Sequence, residues 1–220
     1  MFIGHYAPAL AARALKPSLP LWQLFVAAQL VDFIWAALVA ARIEDLRIVP
    51  GFMAASDLDL YFMPYSHSLV AAILWAIGAG LAFAALRSGR QNLAAGGIIG
   101  LVVLSHWLTD YLVHAPDLPL WKGGPQVGLG LWNSLVVSQL LEVGLLLAGM
   151  LLYVRSTRSR GLAGTLAPWL LFSVMLFMQA ANLLLPPEPQ PPLVFAGTAF
   201  ASFSALALFA WLADRQRLPR

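Results

Sequence analysis

The chain has no cysteine, and only 10% of its residues are charged. The first absence excludes disulfides and thiolate metal sites. The second excludes an ordinary soluble domain, where about a quarter of the residues carry charge. The sequence also lacks period-two alternation over long stretches, so a transmembrane barrel is not expected. The first residues carry no basic start and no small-residue cleavage site, so no removable signal peptide is expected. The net charge of +3 does not point to nucleic acid, because the basic residues flank apolar spans.

Apolar residues are abundant: 60% of the 220 are hydrophobic. They fall in six runs, at 21–42, 66–87, 93–114, 130–154, 165–185 and 193–213. Each run is long enough to cross about 30 Å of hydrocarbon at 1.5 Å per residue. The expectation is an all-α, polytopic transmembrane bundle of about six spans forming one integral membrane domain, residues 1–220. Residues 2–15 are nearly all apolar but too short to span, and read as a re-entrant or interfacial helix. Arg87–Arg90 and the proline-rich run Pro186–Pro192 are expected as turns between spans. Lys and Arg crowd one set of helix ends, from Arg13 and Lys16 to Arg217 and Arg220. The opposite ends hold Arg42, Arg47 and Lys122. This places both termini in the cytoplasm. The other side then carries loops 43–65 and 115–129, whose Glu44, Asp45, Asp57, Asp59 and Asp117 are expected to be solvated. The lipid bilayer is the implied partner.

An ionisable side chain within a span marks a cavity or a partner. Here these are Asp32, His67, His106, Asp110 and Glu142. His106, Asp110 and His114 share one helix face at i, i+4 and i+8. His114 is expected at the surface, about 12 Å along the axis from His106. Counted from the cytoplasmic ends, Asp32, His106, Asp110 and His67 lie about 16, 19, 25 and 30 Å deep, so they could converge where the first three spans meet. Imidazole and carboxylate donors suit zinc, and also manganese or iron. A divalent metal would lower the pKa of a bound water for attack, with Asp110 or Glu142 as catalytic base. The plainer alternative for His106 and Asp110 is an interhelical hydrogen-bonded pair. Re-entry of the first helix would carry His5 towards the midplane.

Gly4-His5, Ser66-His67-Ser68-Leu69 and Ser105-His106-Trp-Leu-Thr-Asp110 together resemble the bacterial inner-membrane metal-dependent hydrolases of the YdjM type, over about residues 1–115. That family shows an early His, a Thr-His-Ser-Leu element and a Ser-His with Asp four residues after the His. Leu30-Val31-Asp32 is the nearest match to its Asp-rich segment, without the paired aspartates. The resemblance implies His5, Asp32, His67, His106 and Asp110 as metal ligands. It also implies hydrolysis of a lipid-linked ester or phosphoester in a bacterial inner membrane.

Two other classes remain open on the sequence. Gln29-Leu-Val-Asp32 echoes Gln139-Leu-Leu-Glu142, which suits a transporter built as an inverted repeat with midplane carboxylates. A non-catalytic scaffold would use the polar groups only to lock helix packing.

Overall fold

A computed structural model describes residues 1–87, 92–185 and 190–220. The two expected turns, at Arg87–Arg90 and Pro186–Pro192, fall partly on residues 88–91 and 186–189, outside the described residues. Among the described residues the chain is mostly helical. A 3-10 turn, Ile3–His5, leads into α1 (Tyr6–Leu15). Next come α2 (Leu21–Ala28), α3 (Leu30–Ala40), α4 (Leu69–Ala85) and α5 (Asn92–Val113). The second half holds α6 (Leu135–Ser156), α7 (Leu162–Leu184) and α8 (Pro192–Asp214).

Among the described residues four helices, α5 to α8, are long and apolar enough to cross a membrane. The run read as one span at 21–42 is two helices, α2 and α3, bent by 53°. The break falls at Gln29, whose buried side chain is polar within an otherwise apolar run. Apolar α4 has 17 residues.

Small residues let α4 and α5 approach closely. A Cβ at Gly80 would stand 2.7 Å from the Gly96 carbonyl oxygen, and one at Gly100 would stand 2.8 Å from that of Ala76. Four-residue spacing, Ala76/Gly80 against Gly96/Gly100, puts these positions on facing stripes, which is how helices pack closely in lipid. Helix α1 lies inside the bundle, with Tyr6, Ala9 and Leu10 fully covered. It crosses α6 where Gly149 leaves room beside Ala7.

The two ends of the bundle are closed differently. At one end Asp214 accepts from Arg13 Nε (3.1 Å), Tyr153 (2.9 Å) and the Leu21 amide (3.2 Å). One carboxylate thus joins α8 to α1, α6 and the start of α2. Arg13, counted from sequence among the basic residues at the cytoplasmic helix ends, is 5% exposed.

At the other end the segment expected as loop 43–65 forms an antiparallel hairpin, β1 (Asp45–Met53) and β2 (Ser56–Phe62). Its period-two signal is two short pieces, Asp45-Leu46-Arg47-Ile48 and Asp57-Leu58-Asp59-Leu60. The Ala55 amide beyond β1 bonds to the Trp132 carbonyl at 2.9 Å. This ties the hairpin to the segment before α6. The loop at 115–129 carries a short pair, β3 (Leu118–Pro119) with β4 (Gln126–Val127).

Candidate metal centre

Four elements bring the site together. The 3-10 turn ends on His5, the first turn of α3 carries Asp32, and the inner face of α5 carries His106 and Asp110. His67 precedes α4. Ser68 caps that helix by accepting the Ala71 amide at 3.1 Å, which fixes where its neighbour His67 stands. Trp107 Nε1 donates to the His67 carbonyl at 2.9 Å.

The five side chains expected from sequence and resemblance therefore meet. His67 Nε2 is 3.2 Å from Asp32 Oδ1 and 3.7 Å from Asp110 Oδ2. His106 Nε2 is 3.4 and 3.2 Å from the same two atoms. His5 Nε2 is 3.1 Å from Asp110 Oδ1, and its ring stacks on that of His106 at 3.7 Å. Two sets of donors, His5/Asp32/His106 and His67/His106/Asp110, each lie within 4.8 Å of one another. His5, His67, His106 and Asp110 are at most 2% exposed, whereas the Asp32 side chain is 17% exposed.

The other ring nitrogens explain why Nε2 faces inward. His106 Nδ1 stands 2.8 Å from the carbonyl oxygen of Ala28, beside the break between α2 and α3. A carbonyl only accepts, so this nitrogen carries the proton. His5 Nδ1 is 2.7 Å from Thr109 Oγ1, whose own proton goes to the carbonyls of Ser105 and His106 at 3.0 and 2.9 Å. Thr109 is thus the acceptor and His5 Nδ1 the donor. His67 Nδ1 donates to Ser66 Oγ at 2.8 Å, because that hydroxyl is committed to Glu44 Oε2 at 2.6 Å.

Each of the three imidazoles therefore presents a bare Nε2 lone pair towards carboxylate oxygens. Among the described residues His5 Nε2 and His106 Nε2 are buried without a hydrogen-bond partner. Acceptors facing acceptors at 3.1–3.4 Å repel unless a positive charge lies between them. Two donors, each about 2.1 Å from one tetrahedral ion, would stand about 3.4 Å apart. The donor set thus fits a small divalent cation. The Met1 amino group, 2.5 Å from Asp110 Oδ1, supplies positive charge to one oxygen only.

One expectation is corrected. His114 is not a surface residue: it is 2% exposed. Its Nδ1 donates to Asp117 at 3.0 Å, and Trp132 packs on the ring at 4.5 Å. The turn after α5 folds back over it, with the Gly130 amide on the His114 carbonyl at 2.7 Å. Its Nε2 reaches Asp110 Oδ1 at 3.6 Å, but it belongs to neither donor set. Glu142, one of the two carboxylates expected as a base, has its Oε2 on the amides of Phe2 and Gly4 at 2.8 and 3.4 Å. These amides open the turn that carries His5, so Glu142 satisfies a helix start and lies outside both donor sets.

Sequence reasoning passed over the groups behind the histidines. Ser66 and Thr109 sit within the motifs that flag the site. Glu44 was expected to be solvated but is 2% exposed. Its partner Ser66 is 22 residues away, so no local pattern could reveal it. Comparison with protein-family models, curated proteins and solved structures returns no match.

Proposed function

We propose that this chain is a six-span membrane hydrolase in which His67, His106 and Asp110 would hold one divalent metal, zinc, with a position left open, while His5 and Asp32, which share His106 in a second donor set, flank it. The carrying observation is that Nδ1 of His5, His67 and His106 each stands 2.7–2.8 Å from a fixed hydroxyl or carbonyl oxygen, an arrangement that orders the protons so that three Nε2 lone pairs turn towards two carboxylates. Outer partners that fix ligand tautomers in this way accompany metal sites generally.

In this reading α2 and α3 form one broken span, α4 to α8 are the other five, and α1 is a re-entrant helix. Both termini face the cytoplasm of a bacterial inner membrane. When bound, the metal would supply a Lewis acid that polarises a carbonyl or phosphoryl oxygen and acidifies water. Asp32 is the carboxylate that meets the substrate, because Asp110 and Glu142 are 2% and 1% exposed. An apolar groove of about 520 Å³, lined by Trp22, Val26, Phe33 and Leu208 among others, runs beside α8. A lipid-borne ester or phosphoester is the substrate in this reading. The resemblance to the YdjM type points the same way.

The test is turnover of phospholipid vesicles by zinc-loaded protein, read by mass spectrometry. Zinc-dependent product that disappears in His106→Ala is expected. Stoichiometric zinc with no product from any ester or phosphoester lipid would overturn the hydrolase reading.

One observation favours a transporter instead: the helix break lies beside Asp32, and broken helices line many transport sites. Against it, α6 runs unbroken through the echo at Gln139–Glu142, and Glu142 is bound to backbone amides.

A further inference from the structure

His67 can offer its Nε2 lone pair only while its proton sits on Nδ1, and the hydrogen bond at Nδ1 decides where that proton sits. The partner there is Ser66 Oγ, at 2.8 Å. A serine hydroxyl can donate or accept, so Ser66 alone leaves the tautomer open.

Glu44 closes the choice. The chain leaves α3 through a tight turn in which Arg42 takes a left-handed φ of 58°. The amides of Ile43 and Glu44 bond back to the Leu38 carbonyl at 2.8 and 3.3 Å, a helix-closing pattern. The turn aims Glu44 inward. Its Oε1 accepts the amides of Tyr65 and Ser66 at 2.7 and 2.9 Å, and its Oε2 stands 2.6 Å from Ser66 Oγ. A carboxylate only accepts, so the Ser66 proton points at Glu44. The lone pair of Ser66 then points at His67. Glu44, Ser66 and His67 are each at most 2% exposed, so bulk water does not scramble the order.

We propose that Glu44 is a positioning residue that acts through Ser66 to hold His67 in its Nδ1–H tautomer, keeping Nε2 free for the metal. The consequence for metal binding rests on the metal-site reading above; the proton order does not.

Glu44→Gln inverts the order while nearly preserving shape. The amide oxygen keeps the two backbone amides, and the amide nitrogen donates to Ser66 Oγ. The hydroxyl proton then turns to His67 Nδ1, and His67 takes its proton on Nε2, where it blocks the metal-facing lone pair.

The experiment is nitrogen NMR of histidine-labelled, metal-free protein in nanodiscs, followed by zinc affinity from chelator competition. Wild type should show His67 as Nδ1–H and Glu44→Gln as Nε2–H, with zinc bound about 10- to 100-fold more weakly by the variant. An unchanged tautomer in Glu44→Gln overturns the proposal. If that variant does not fold, Ser66→Ala and the Glu44→Asp/Ser66→Ala double variant decide. Equal zinc affinity in the two supports action through Ser66, and a further loss in the double variant overturns it. Wild type that binds no zinc defeats the metal reading, while the tautomer comparison still decides the role of Glu44.

Discussion

His106 Nδ1 donates to the carbonyl oxygen of Ala28 across 2.8 Å, at the point where α2 gives way to α3. The break thus does two things at once. It supplies an acceptor that fixes the His106 tautomer, and it starts a new helix whose first turn brings Asp32 within 3.4 Å of the same ring. A straight helix through residue 29 would keep that carbonyl in its own ladder.

Thr109 should matter through His5. In Thr109→Val the His5 Nδ1 proton loses its acceptor, and zinc affinity should fall about 10- to 100-fold. Thr109→Ser, which keeps the hydroxyl, should bind zinc as wild type does. Chelator competition measures both.

His114 should tune the site without holding the metal. His114→Gln is expected to keep wild-type zinc stoichiometry, with affinity about tenfold weaker at most, because its Nε2 stands 3.6 Å from Asp110 Oδ1 and it belongs to neither donor set. Loss of all zinc in that variant, by elemental analysis, would make His114 a ligand.

The α4–α5 contact predicts opposite signs for two glycines. Gly80→Ala puts a methyl 2.7 Å from the Gly96 carbonyl and should cost about 1–3 kcal/mol. A Cβ at Gly97 meets nothing within 4 Å, so Gly97→Ala should be neutral or stabilise by up to about 1 kcal/mol. Unfolding in mixed micelles by denaturing detergent reads the difference.

Asp214 ties the opposite end of the bundle. Asp214→Asn leaves Arg13 buried without its counter-charge, and should destabilise by about 3–5 kcal/mol. Zinc affinity of the folded fraction should not change, because the contacts of Asp214 are with Arg13, Tyr153 and Leu21. The same detergent titration, with chelator competition on the folded fraction, checks both statements.

The helices were legible because apolar runs and their polar punctuation are local signals. Asp32, His67, His106 and Asp110 stood out because an ionisable group within an apolar run is conspicuous. His5 sits in a run too short to span, and resemblance gave it a role that local chemistry left open. What escaped were groups whose meaning depends on distant partners. Glu44 reads like any loop acid until Ser66, 22 residues on, folds against it. Glu142 reads like a buried base until Phe2 and Gly4 claim its oxygen. His114 reads as a helix-end residue until the turn after α5 covers it. The hairpin was missed because its alternation comes in two four-residue pieces, at 45–48 and 57–60, too short to stand out between apolar spans.

In the proposed site His67, His106 and Asp110 hold one divalent metal, with His5 and Asp32 beside it. The direct measurement is elemental analysis of chelator-stripped, zinc-reconstituted protein, with His106→Ala and Asp32→Ala in parallel. About one zinc per chain in wild type, absent from His106→Ala and reduced in Asp32→Ala, is the predicted result. Wild type without zinc, or His106→Ala with as much zinc as wild type, would contradict the account.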